Sequence, residues 1–148
     1  MSSQKSPKTN TAVPPTPPSK YILLGEDDID DEELLTEVFA TIDNSFSLLF
    51  VNNGRDVIDT LEKIEDHLPC LIILDYNMPA LNGSEILLGL KRFKRYDLIP
   101  KIIWSTSASN TYKKSCLEAG ASDYVIKPSN MDGLIEVARH MLSFCSAR

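Results

Sequence analysis

The sequence predicts an α/β fold, doubly wound around a five-stranded parallel sheet. Two observations carry this. Five short apolar runs alternate with segments whose apolar residues return every three to four positions, the strand–helix alternation that builds parallel sheets. The runs are nearly continuous rather than alternating, so both sheet faces must be covered by helices. A third observation concerns chemistry: four of the five runs end in acidic, hydroxyl or amine side chains, at what would be one edge of the sheet.

Along the chain, residues 1–19 read MSSQKSPKTNTAVPPTPPS. Ser, Thr and Pro dominate and large apolar side chains are nearly absent. Such a segment cannot bury enough surface to offset its ordering entropy. A disordered tail is expected there, with polyproline character at residues 14–18, and residues 20–148 form the folded domain. YILLG (21–25) is the first strand. Residues 28–42 make a helix whose first turn is rich in acids, as suits a helix N-terminus, with Leu34, Leu35, Val38, Phe39 and Ile42 inward. FSLLFV (46–51) is the second strand, closed by Asn52, Asn53 and Gly54. Val57, Ile58, Leu61 and Ile64 mark the second helix. LIIL (71–74) is the third strand. Residues 84–95 give the third helix, with Ile86, Leu87, Leu90 and Phe93 inward. KIIWS (101–105) is the fourth strand. A short polar helix over 111–119 is stopped by Gly120. DYVIK (123–127) is the fifth strand, and MDGLIEVARHMLSFC makes the last helix. For this count the flavodoxin-like strand order 2-1-3-4-5 is the leading choice.

The net charge of −6 argues against a general nucleic-acid-binding surface. No apolar run is long enough to span a bilayer, and the N-terminus lacks a signal-peptide core. Cys70, Cys116 and Cys145 are odd in number, widely spaced and set among apolar residues, which points to buried free thiols in a reducing cytosol. No Cys or His pair has metal-ligand spacing. The expected location is cytoplasmic.

In an open α/β sheet, ligands bind beyond the carboxyl ends of the strands, at the point where strand order reverses. There Asp27 and Asp28 follow the first strand, Asp75 ends the third, Ser105 and Thr106 the fourth, and Lys127 the fifth. Asp27 and Asp28 alone could merely cap a helix, and Asp75 alone could serve a turn. Together with Lys127 they describe one pocket. Three carboxylates would repel and raise one another's pKa values. Mg²⁺ relieves this, since it takes one or two carboxylates and keeps several waters, and the backbone carbonyl of Asn77 offers another oxygen. A carboxylate beside Mg²⁺ is a competent nucleophile toward phosphorus. Lys127 would offset charge on a transferring phosphoryl group, and the Ser105 hydroxyl would bond a phosphoryl oxygen. Among Ser105, Thr106 and Ser107, strand alternation separates Thr106 from the other two without choosing between them.

The acidic pair, LDYNMP with a glycine four residues past the proline, the hydroxyl after the fourth strand and YVIKP together resemble the receiver domain of two-component response regulators, over about residues 20–147. The serine–threonine–serine run is similar to that of single-domain regulators that partner phytochrome kinases. The resemblance implies that Asp75 is the phosphoacceptor, that Asp27, Asp28, Asp75 and the Asn77 carbonyl hold Mg²⁺, that Ser105 is the switch hydroxyl, and that Lys127 pairs with the phosphoryl group. Tyr124 would turn inward when Ser105 moves; as a bland alternative it is an ordinary strand aromatic. The phosphoryl donor would be a sensor histidine kinase or a histidine phosphotransfer protein. The sequence stops at Arg148 just past the last helix, so output is expected by contact with a downstream protein or by phosphorelay, with homodimerisation through the last helices left open. On this reading the chain is a signalling module rather than an enzyme. A haloacid dehalogenase-type phosphatase would carry an acid where Asn77 stands. A phosphate-independent pseudo-receiver that only binds partners is the alternative.

Overall fold

The computed structural model describes residues 20–146. The expected tail over residues 1–19 lies outside the described residues. Eleven elements follow one another: β1 (Tyr21–Gly25), α1 (Ile29–Ile42), β2 (Ser47–Val51), α2 (Gly54–Lys63), β3 (Leu71–Asp75), α3 (Gly83–Leu90), a single 3-10 turn (Lys94–Tyr96), β4 (Lys101–Ser105), α4 (Asn110–Glu118), β5 (Asp123–Ile126) and α5 (Met131–Ser146). The strands are all parallel, in the order β2-β1-β3-β4-β5. The expected doubly wound α/β architecture is therefore the observed one.

Strand alternation divides the interior into two layers. Tyr21, Leu23, Ile72, Leu74 and Ile103 pack toward α2, α3 and α4, together with Val57, Leu61, Ile86 and Leu90. Ile22, Leu24, Leu71, Ile73, Ile102 and Trp104 pack toward α1 and α5, together with Leu35, Phe39, Ala138 and Met141. Fully burying such side chains stabilises the fold by about 1.5–3 kcal/mol each. Among the described residues, no helix is long and apolar enough to cross a membrane.

Helix ends are set by side-chain caps. Asn82 and Glu85 form a capping box at α3, and Asn53 caps α2. The start of α2 lies so close to the loop after β3 that a Cβ at Gly54 would sit 2.4 Å from the Leu81 carbonyl oxygen. Gly120 ends α4 with φ of 114°, a conformation costly for any residue with a Cβ.

Three expectations are corrected. Leu34 is 39% exposed, because it lies at the flank of α1, on a shallow groove beside Met131 and Ile135. The third helix stops at Leu90, so Phe93 is left 37% exposed and Tyr96 takes the buried place, with the two rings edge to face. The cysteines are not three free thiols. Cys70 and Cys145 form a disulfide, and only Cys116 remains a free, buried thiol. The two partners are 75 residues apart in sequence, but each helix runs back along the sheet. The end of α5 thus arrives beside the start of β3.

Candidate functional site

The same alternation that builds the core aims the site. Ile22 and Leu24 face α1 and α5, and so does Glu26, two residues further on. Leu71 and Ile73 lead in the same way to Asp75, and Ile102 leads to Trp104. Backbone hydrogen bonds continue the sheet one residue past the strand ends: Glu26 N–H donates to the Val51 carbonyl at 3.0 Å, and Lys127 N–H to the Ser105 carbonyl at 2.7 Å. Glu26, Asp75, Trp104 and Lys127 thereby meet at the carboxyl edge of the sheet, on one side.

Lys127 is the centre of the arrangement. Its Nζ lies 2.8 Å from Asp31 Oδ2, 3.1 Å from Glu26 Oε1 and 3.3 Å from Asp75 Oδ2. An ammonium has three N–H donors, and each meets one carboxylate. The same Nζ stands 4.8 Å from the centroid of the Trp104 ring, a cation–π contact. Burial works against the charged form, but the hydrogen bond that Lys127 donates to Asp31 and the charges of Asp75 and Glu26 outweigh it, and Lys127 holds its proton more tightly than an ordinary lysine. Glu26 also holds its proton more tightly than usual, which for a carboxyl favours the neutral form. Burial, and then the hydrogen bond and charge of Asp75, raise it from 4.5 to about 8, against the opposing effects of the Asp28 amide and Lys127.

Carboxylate oxygens of Glu26, Asp27 and Asp75 all lie within 4.8 Å of one another. Opposite ligands of an octahedral Mg²⁺ are about 4.2 Å apart, so small side-chain rotations bring these hard oxygen donors into range. With Asp31 the site holds four acids against one ammonium, a charge imbalance that suits a divalent cation.

Asp28 takes a different place from the one expected of it. It is the N-cap of α1, and its Oδ1 accepts from the amides of Asp30 at 2.9 Å and Asp31 at 3.4 Å. Glu26 stands where Asp28 was expected, because the strand alternation extends to residue 26 and the helix has begun by residue 29. Asp31 is a further site residue that the sequence reading missed. The acid-rich first turn was visible, but which of its members faces the strand ends depends on the helix phase.

Asp75 sits at the end of β3 with its side chain 9% exposed, and its Oδ1 accepts from the amide of Asn77 at 3.1 Å. Asn77 is exposed in the following turn, where Ala80 adopts a φ of 76°. Of the three consecutive hydroxyls, Ser105 is fully buried and Thr106 exposed. Ser105 lies one residue beyond Trp104, the register partner of Asp75. The Ser105 hydroxyl oxygen accepts from the Ser107 amide at 3.1 Å, and the Ser107 carbonyl accepts from the Tyr124 hydroxyl at 2.8 Å. The Tyr124 ring is already turned inward, 7% exposed. On the other side, Tyr76, next to Asp75, stacks on Tyr112 of α4 with ring centroids 4.5 Å apart.

Comparison with known proteins places this geometry. The sequence profile of the response regulator receiver domain matches residues 22–139. A Picosynechococcus protein named "probable transcriptional regulatory protein" is 33% identical over 122 residues, which are 77% of this chain and 47% of that protein. The chain thus spans about half the length of that relative. The response regulator Rcp1 of Synechocystis is 28% identical over 131 residues, covering 86% of this chain and 89% of Rcp1. The crystal structure of the Mn²⁺-bound form of Rcp1 superposes with a TM-score of 0.74, over 84% of this chain and 93% of that one, at 28% identity. The phosphorylated cyanobacterial phytochrome response regulator RcpA gives a TM-score of 0.78 at 25% identity, over 86% and 94% of the two chains.

Proposed function

Since the chain belongs to the response regulator receiver domain family, we propose that it is a signalling module that accepts a phosphoryl group on Asp75. The single observation behind this reading is the approach of Lys127 Nζ to within 3.3 Å of the Asp75 carboxylate, with Glu26 and Asp27 on the same edge. In the proposed step an Asp75 oxygen attacks the phosphorus of a phosphohistidine. The phosphorus–nitrogen bond breaks, and the donor imidazole leaves. Lys127 faces the transferred group and offsets its charge. The Ser105 hydroxyl donates to a phosphoryl oxygen.

Glu26, Asp27 and Asp75 would hold Mg²⁺, with the Asn77 backbone carbonyl as a further oxygen. When bound, the ion neutralises charge on the carboxylates and on the entering phosphoryl group. Asp28 is left out of this set because its carboxylate is committed to the helix cap.

The donor class is a sensor histidine kinase or a histidine phosphotransfer protein. Because RcpA is described as a phytochrome response regulator, a phytochrome-type kinase is the first donor to try. The response travels through the hydrogen bonds already present. Drawing Ser105 toward the phosphoryl group takes its oxygen from the Ser107 amide, and the Ser107 carbonyl holds the Tyr124 hydroxyl. The face around β5 then changes its population of states, and a downstream protein reads it.

Beryllium fluoride, a phosphoryl mimic, tests the site without a kinase. Added with Mg²⁺ it should raise the melting temperature by several degrees, and neither addition alone should match it. No joint effect would favour a pseudo-receiver that binds partners independently of phosphate.

A further inference from the structure

The cysteine pair has no part in phosphoryl transfer. Cys70 immediately precedes β3, and Cys145 lies in the last turn of α5. Their Cα atoms are 5.1 Å apart, within the range that a disulfide requires, and the two are joined. Asp75 closes the other end of the same strand, ~16 Å away at the rise of an extended chain. Cys116 belongs to the core layer on the opposite face of the sheet, so it cannot reach either partner.

The two residues differ in burial. Cys145 is fully buried among apolar residues, whereas Cys70 is half-buried. Partners for the reduced side chains are in place. Cys70 Sγ lies 3.4 Å from the Tyr21 carbonyl oxygen, an acceptor ready for a thiol proton. A reduced Cys145 would rest as a small neutral side chain in its apolar layer. A pair with one partner only half-buried, and with an acceptor at hand for its thiol proton, suits exchange rather than permanent closure.

We propose that Cys70 and Cys145 are a reversible redox site, opened and closed by exchange with a low-molecular-weight thiol–disulfide couple, which fastens the end of α5 to the start of β3. In opening, an external thiolate attacks Cys70 Sγ, and the Cys70–Cys145 bond breaks. Cys145 leaves as a thiolate and takes up a proton, and a mixed disulfide stays on Cys70. A second external thiolate attacks the external sulfur of that bond and releases Cys70, which is protonated in turn. One protein disulfide and two small thiols become two protein thiols and one small disulfide. Closure is the reverse, with the small disulfide as oxidant.

The test is thiol counting on the full chain, equilibrated under native conditions in glutathione buffers of graded ratio. Samples are acid-quenched, unfolded and alkylated, and intact mass is read. One alkylated cysteine is expected in oxidising buffer and all three in reducing buffer, with a single transition. The cross-linked peptide should map to Cys70 and Cys145. The melting temperature should fall by roughly 10 °C across the same transition, the scale expected for opening a long loop in a domain of this size. Cys116→Ser should keep both transitions. Three reactive thiols at every ratio would overturn the proposal. So would a cross-link that resists reducing buffer in the folded protein, or a melting temperature that does not follow the thiol count.

Discussion

Raising the pH from about 6 to about 8 should tighten Mg²⁺ binding about 50-fold, and Glu26 is the reason. The residue is 1% exposed, and its carboxyl is raised from 4.5 to about 8, chiefly by burial and then by Asp75. Metal binding requires the ionised form. At about pH 6 only about 1% of such a group is ionised, and at about pH 8 about half, a difference worth about 2.3 kcal/mol in binding. Glu26→Gln removes this proton linkage, so affinity in the variant should change less than about threefold over the same range. Calorimetric titration with Mg²⁺ in two buffers of different ionisation enthalpy counts the protons released. Near one is expected for the wild type at about pH 6 and near zero for Glu26→Gln. The stability sign follows from the same shift. Between pH 4.5 and about 8 the folded state binds more protons than the unfolded state. Metal-free protein therefore loses stability as pH rises through that window, and Mg²⁺ restores it. Equal wild-type affinity at both pH values, or proton release that survives Glu26→Gln, would refute the reasoning.

Lys127→Ala leaves Glu26, Asp31 and Asp75 without their shared ammonium and should cost about 3 kcal/mol in urea unfolding. Mg²⁺ should recover part of this loss, and an unchanged unfolding midpoint without metal would show that the pairs contribute nothing net. Ala80→Gly should stabilise the metal-free protein by about 0.5–1 kcal/mol, because a φ of 76° costs alanine more than glycine; destabilisation would mean that the alanine methyl group contributes more than the strain removes. Tyr124→Phe deletes the hydrogen bond to the Ser107 carbonyl and should cost about 1 kcal/mol. Phosphorylation of Asp75 should be unaltered in that variant, and a large fall in the extent of phosphorylation would place Tyr124 in the chemistry rather than in the response.

The fold was legible because the three central strands β1, β3 and β4 are apolar runs buried on both faces, as LIIL shows before Asp75, while the edge strands β2 and β5 are partly exposed. Helix ends were less so. Phe93 continues the three-to-four spacing of Ile86 and Leu90, but that spacing does not reveal that the helix stops and a 3-10 turn brings Tyr96 into the core instead. At the site, Asp75 and Lys127 could be read from the strands they end. The acids after β1 could not be assigned by type alone, because Glu26, Asp27 and Asp28 are consecutive. Two signals were available: the period of two from Ile22 through Leu24 points to Glu26, and an aspartate just ahead of an acidic first turn is a helix cap. Asp31 needed the phase of α1, which the half-exposed Leu34 blurs. The Cys70–Cys145 bond depends on where the last helix ends relative to the third strand, a long-range relation absent from local spacing.

The central claim is that Asp75 accepts the phosphoryl group. Intact mass after incubation with acetyl phosphate, with and without Mg²⁺, tests it on the wild type and on Asp75→Asn. A gain of one phosphoryl group is expected that needs Mg²⁺ and is missing from the variant. A gain that persists in Asp75→Asn, or no gain in the wild type with Mg²⁺ present, would contradict it.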